Sequence, residues 1–281
     1  MTKNKPTIDE HYIPQFYLKQ FSSDGEKIYQ YDILSPNSSS VKVPTKSICY
    51  EKNLYEFKND SGEIIHRNLI EKHLGTFETE FANVFRSIIS KSKIEKNYQT
   101  CSFLDMKEKA LLVFFMTTLI IRNPEILNIA KDTALEFFGN QLSEVNARNF
   151  ALNTCLPIYK DLDPNERNLL LSFMKPFEKM SYQIAVTGKE KIWTSDNPVI
   201  LHGKNQPIKL DEVILSINPN LVLYMKPYEK TKRGCYNRLT KMNTQDIDFI
   251  NGNIVMNSKR WIYTYTPLTD KQKKWIAKIR K

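Results

Sequence analysis

The sequence predicts an α+β protein, with a helical middle packed against β structure drawn from both ends of the chain. Three observations predict it. Residues 27–33 alternate apolar and polar as a strand does (Ile28, Tyr29, Tyr31, Ile33). From 66 to 92 the period changes, and Ile70, Leu74, Phe77, Phe81, Val84, Phe85 and Ile88 recur at three- and four-residue steps. Past Ser181 the chain returns to short apolar runs punctuated by Pro198, Pro207, Pro219 and Pro227. The expectation is one domain over 1–281: a motif helix and short strands over 1–60, a helical part over 61–180, and a strand-rich basic part over 181–281.

The elements follow in order. Pro14 suits the first turn of a helix over 15–21, because its missing N–H is an orphan there anyway. Ser22-Ser23-Asp24-Gly25 ends that helix, and 35–40 is a polar turn. Short strands are expected over 41–48 and 53–57. The 66–92 helix comes next. Asp105 is an N-cap for a helix over 106–121, which is apolar nearly all round and therefore central. Arg122-Asn123-Pro124 breaks it. Helices are expected over 125–138, 143–153 and 164–174. Strands are expected over 182–187, 191–194, 212–217 and 221–226. Thr244 caps a helix over 245–257, 260–265 is a last strand, and Thr269 or Asp270 opens a basic closing helix held by Trp275 and Ile279.

Composition narrows the class. The 281 residues carry 41 Lys and Arg against 31 Asp and Glu, a net charge of +10. Residues 219–281 hold 14 of those cations and 4 of those carboxylates, so the first 218 residues are neutral overall. That asymmetry points to an anionic partner for the last quarter (nucleic acid, phosphate groups or a membrane surface), or to a solvated surface and a basic tail. Cysteines at 49, 101, 155 and 235 have no metal-clip or redox spacing, which with a polar N-terminus predicts a reduced cytoplasmic protein. The longest apolar run, 110–121, is shorter than the roughly 20 residues a bilayer crossing needs.

Familiar catalytic signatures are absent: no Gly-x-Ser-x-Gly elbow, no His-Glu-x-x-His, no Walker loop. Eight glycines argue against a dinucleotide fold built on a Gly-rich turn. His66 and His73 stand about 10 Å apart if both lie on one helix, too far to share one ion. Glu71 and Glu78 are two turns apart and point the same way. Such a pair suits acid–base work, a divalent cation, or an ion pair with a neighbouring Arg. Arg122 is the obvious partner, since an Arg ending the most buried helix needs a carboxylate or phosphate.

Two segments stand out. His11-Tyr12-Ile13-Pro14-Gln15-Phe16-Tyr17-Leu18-Lys19-Gln20-Phe21 threads three polar side chains through an aromatic run. Its opening superficially resembles the first motif of His-Asn-His nucleases, but no matching Asn-x-His element follows. Trp193-Thr194-Ser195-Asp196-Asn197-Pro198 runs a strand into a polar turn, where an Asp serves either catalysis or an Asx-turn.

Together the two segments resemble the bacterial family known as domain of unknown function 4238, over almost the whole chain. His11, Pro14, Gln15, Tyr17, Leu18 and Phe21 match the first motif, and Ser195-Asp196-Asn197-Pro198 the second. The resemblance also implies roles for a helix-borne Glu (Glu71 or Glu78), for Arg122 before Asn123-Pro124, and for Asn251 on a late helix. Asn123 departs from the more usual Ser or Thr. The resemblance implies no reaction.

The expectation drawn from all this is a site where His11, Gln15, Glu71 or Glu78, Arg122, Asp196 and Asn251 converge beside a basic surface of Lys230, Lys232, Arg233, Arg238, Arg260, Lys273 and Lys274. There His11 or a Glu is general base, Asp196 orients water or a divalent cation, and Arg122 stabilises phosphate charge. The enzyme would act on nucleic acid or a phosphorylated compound, as a nuclease-like effector of defence or stress. The alternative is a non-catalytic nucleic-acid- or protein-binding module whose motifs are buried scaffold.

Overall fold

The computed structural model describes residues 7–35, 38–95, 98, 102–156, 173–203, 210–232 and 234–280. Its first part runs β1 (Asp9–His11), α1 (Gln15–Lys19), β2 (Lys27–Asp32), β3 (Val41–Pro44), β4 (Tyr50–Lys52), β5 (Phe57–Lys58) and β6 (Ile64–Ile65). The helical part is α2 (Leu69–Ile94), α3 (Met106–Ile121), α4 (Pro124–Phe138) and α5 (Glu144–Cys155). Then follow β7 (Met180–Val186), β8 (Thr194–Ser195), β9 (Val199–His202), β10 (Glu212–Asn218), β11 (Leu221–Pro227) and β12 (Asn237–Lys241). The chain closes with α6 (Thr244–Asn257), β13 (Trp261–Thr264) and α7 (Asp270–Ile279). The fold class is α+β.

A five-stranded sheet, ordered β12-β7-β11-β10-β9, forms the middle layer; only β12 runs parallel to its neighbour. Both faces are covered, so its strands are apolar on both sides rather than alternating with solvent. Ile184, Val213, Leu215, Leu223 and Met225 face a core shared with α1, α2 and α3. The intervening Ala185, Ile214 and Val222 face a second core shared with α6 and α7. A four-stranded antiparallel sheet, β3-β2-β13-β8, joins the two ends of the chain through Trp261↔Asp32 to Thr264↔Tyr29. A third core gathers Leu54, Tyr55 and Phe57 with residues of α2, α4 and α5.

Local chemistry explains the helix ends. Asp105 and Glu108 make a reciprocal capping box at α3, and Asn123 caps α4 with Pro124 at its first position. α6 begins one residue earlier than expected, because Asn243 rather than Thr244 is the cap and pairs with Asp246. α2 starts at Leu69, since His66 and Asn68 both adopt the left-handed conformation (φ +55° and +56°). His66 and His73 therefore do not share a helix.

Other expectations are corrected. Pro44 ends β3 and a 3-10 turn follows at Thr45–Ser47, so 41–48 is no continuous strand. Only the end of 53–57 is extended, in the two-residue β5. Of 191–194 only Thr194 enters a strand. β1, β4, β6, β9 and β12 were not foreseen. The helix expected over 164–174 lies outside the described residues apart from its last two.

Candidate functional site

The two prominent sequence segments dock on one another. Tyr17, Leu18 and Phe21 are fully buried in the first core. The Tyr17 hydroxyl shares a 2.8 Å hydrogen bond with the Thr194 hydroxyl, 177 residues away. Beside it, the Cys49 thiol donates to the Tyr263 hydroxyl at 3.1 Å and is also hydrogen-bonded with Tyr12. Burial pushes that thiol up to about 12, so it stays protonated and is no nucleophile. Cys49 itself sits at φ +55°, a backbone conformation cysteine seldom takes.

Asp196 has both carboxylate oxygens occupied. They accept the backbone N–H groups of Lys259 (2.9 Å), Arg260 (2.8 Å) and Trp261 (2.9 Å), which fixes the entry into β13. Burial raises its pKa while those three donors pull it down. Ser195 closes a local turn with Asn197. Asn251, on the buried face of α6, accepts from the Trp193 N–H at 3.0 Å and donates to the Lys191 carbonyl at 3.1 Å. Asn257, two turns on, holds the Asn197 and Val199 carbonyls. The second segment is thus stitched to α6 and β13 by Asp196, Asn251 and Asn257.

A separate polar centre forms where β1, the 54–56 loop, α2 and the end of α3 meet. Arg122 is 1% exposed. Its guanidinium donates to the His11 carbonyl, to the Tyr55 hydroxyl (3.3 Å) and to Glu78 (3.4 Å). The Tyr55 hydroxyl in turn donates to the Arg122 carbonyl at 3.1 Å. Glu10 is fully buried, with one oxygen on the Tyr55 N–H at 2.7 Å and the other without a partner among the described residues. Burial first, then the charges of Glu56 and Glu71, push its carboxyl up to about 7. Glu56 accepts the Asn68 N–H and side-chain amide at the start of α2. Glu71 is half-buried and raised mainly by burial, opposed by Arg122, and one of its oxygens likewise has no partner among the described residues.

The model of the family described as protein of unknown function DUF4238 matches residues 10–267. The chain belongs to the DUF4238 family. No curated protein and no solved structure matches it.

For this DUF4238 chain the expected site residues divide into two groups. Glu71, Glu78, Arg122 and the His11 backbone come together. Asp196 and Asn251 do not join them; no hydrogen bond or ion pair among the described residues links the two groups. The His11 ring lies elsewhere, donating from Nε2 to the Lys46 carbonyl at 3.2 Å and tilted against Tyr50. Burial lowers its pKa, which favours the neutral imidazole. Gln15 is half-buried and makes no side-chain hydrogen bond to another described residue. Sequence reasoning missed Glu10, Tyr55, Glu56 and Asn68; only the polarity of Glu10 beside the first segment was there to find. Among the described residues no group of three or more His, Cys, Asp or Glu has the geometry to hold a metal ion.

The expected basic surface is scattered and partly neutralised. Arg260 forks onto Asp32 (3.0 and 2.9 Å) and stacks on Trp261. Lys230 pairs with Asp211, and Lys273 lies 3.7 Å from Asp270. Arg238 is half-buried in edge strand β12. Lys232 and Lys274 are exposed and make no ion pair among the described residues. Arg233 lies outside the described residues. No single helix among the described residues is long and apolar enough to cross a membrane.

Between β2, β3, β4 and β13 opens a cleft of about 630 Å³, lined by Tyr12, Gln30, Ser47, Tyr50, Trp261 and Tyr263 among others. Cys49, Glu51 and Lys52 complete its polar lining.

Proposed function

We propose that this chain is a binding module for nucleic acid or another phosphate-bearing partner, with the family motifs serving as its buried frame. One observation carries the reading: Asp196, Asn251 and the His11 carbonyl spend their bonding capacity inside the protein. A residue meant to orient water or a cation needs a free lone pair facing solvent, and Asp196 accepts three backbone N–H groups instead. Exposed Lys232 and Lys274, in a segment with 14 cations against 4 carboxylates, supply the long-range attraction. The test is fluorescence anisotropy with labelled single- and double-stranded DNA and RNA across a salt series. Affinity that falls with salt and weakens in Lys232→Ala/Lys274→Ala supports the reading; salt-independent or undetectable binding rejects it.

A second reading has a specific observation in its favour. Glu10 and Glu71 each keep one oxygen without a partner among the described residues, and burial pushes the Glu10 carboxyl up to about 7. Such a pair suits proton transfer to a phosphorylated substrate. It requires turnover of nucleic acid or nucleotides that Glu10→Gln abolishes while leaving binding intact.

A further inference from the structure

We propose a nucleotide-binding pocket between the starts of α6 and α7, on the face of the central sheet opposite α2 and α3. The inference rests on the reading above and locates where a phosphate-bearing aromatic group would sit. The pocket has a volume of about 510 Å³ and is lined by Lys189, Lys191, Lys271, Trp193 and Trp275, with Glu190 and Asp248 at its wall. That size suits a small organic ligand.

Its chemistry is mixed in the way a nucleotide demands. Lys189 and Lys271 are exposed and make no ion pair among the described residues. Lys191 is held by the Asn220 side chain and lies 5.9 Å from the Tyr265 ring, which fixes its stem. Three ammonium groups face two carboxylates, and Glu190 is within 3.5 Å of the Thr244 hydroxyl. The opening residues of two helices, Thr244 of α6 and Lys271 and Gln272 of α7, also line the pocket. Both helices run ten residues or more. Each start adds about half a positive charge, offset in part by Asp246 and Asp270 in the same first turns, so the three ammonium groups carry the attraction for an anion. The caps Asn243 and Thr269 satisfy only the third N–H of each helix. The first two of each have no intrahelical acceptor.

The apolar half of the lining is aromatic. Trp193 and Trp275 meet edge to face at 5.9 Å. Trp193 is pinned by Asn251 through its backbone, and Trp275 packs over Gly252, where a Cβ would stand 3.7 Å from the indole. Trp193 is 3% exposed and backs the pocket, so of the two indoles the half-buried Trp275 is the one open to stack on a base. A carboxylate beside them is a natural acceptor for ribose hydroxyls. Lysines, helix starts, an indole and a carboxylate together match phosphate, base and sugar. The same chemistry is offered by a free mononucleotide and by the end of a single strand.

Two of the chain's three tryptophans lie in the pocket, so binding is readable directly. In a Trp261→Phe background, tryptophan fluorescence is titrated with AMP, ATP, adenosine, inorganic phosphate and a short single-stranded RNA. The expected result is a saturable change with AMP and ATP, a weaker one with adenosine, and competition by phosphate. Lys189→Ala/Lys271→Ala should weaken AMP binding about tenfold or more without changing the thermal midpoint. A saturable response to RNA but not to AMP assigns the pocket to strand ends and still supports it. No saturable change with any ligand, or equal affinity in the double variant, overturns the pocket. If anisotropy shows salt-sensitive RNA binding that the double variant leaves untouched, the pocket fails while the binding-module reading stands. AMP binding without any RNA binding leaves the pocket standing and removes nucleic acid as the partner.

Discussion

Arg122 shows at the scale of one residue how the sequence constrains the fold. A guanidinium ending an apolar helix must find acceptors on all sides, and it finds a backbone carbonyl, a tyrosine hydroxyl and Glu78. Its need for a carboxylate was legible from position alone; Tyr55 and the His11 carbonyl were not, because nothing local marks a loop tyrosine as a future partner. Truncating Arg122 to Ala should cost about 3–5 kcal/mol in urea unfolding at neutral pH, since its acceptors are left buried. Arg122→Lys should recover little of it, because one ammonium cannot serve three separated acceptors. Glu10 makes a second prediction. Its carboxyl is raised from the ordinary 4.5 to about 7, so between those values the folded chain keeps a proton the unfolded chain has released. The stability tied to this group is full below about 4.5 and is lost as pH rises through about 7. Glu10→Gln should therefore flatten the fall in thermal midpoint between about pH 4.5 and 7. An unchanged slope would place the titrating group elsewhere, with Glu71 the next to test.

Elements with strong local signals were readable. α3 declared itself through its Asp105 cap and unbroken apolar run, and β2, β10 and β11 through their length and composition. β12 was invisible because Asn237-Arg238-Leu239-Thr240-Lys241 offers one apolar side chain; its place is set by parallel pairing with β7, a tertiary effect. The stretch from 49 to 68 misled for another reason. Its turns use positive φ at Cys49, Asn53, His66 and Asn68, and of these Cys49 and His66 do not announce a turn as glycine or asparagine does. The motif aspartate acts at this scale too. Asp196→Ala should free the amides of Lys259, Arg260 and Trp261, costing about 2–4 kcal/mol. Hydrogen exchange should accelerate at those three amides while those of β7 and β11 stay protected. Uniform acceleration would mean that the bonds support the whole fold rather than the junction of α6 with β13.

At the scale of the whole molecule, the central sheet separates two chemistries. On one face lie α2 and α3, with the Arg122 centre at the end of α3; on the other lie α6 and α7 with the pocket and its lysines. The pairing of β2 with β13 was anticipated only in outline, as β structure drawn from both ends of the chain. The division of the motif residues between two places was not, because side chains far apart in sequence carry no record of which neighbours they share. Charge bias was readable, but its neutralisation by Asp32 and Asp211 was not, since an ion pair depends on tertiary proximity. The division makes the roles separable by experiment. The most direct measurement compares RNA affinity and thermal midpoint in Asp196→Asn and in Lys232→Ala/Lys274→Ala, at low and at physiological salt. The account predicts that the first variant melts earlier yet binds like the parent, and that the second melts like the parent yet binds more weakly with a shallower salt slope. An Asp196→Asn protein that keeps its midpoint and loses binding would contradict it.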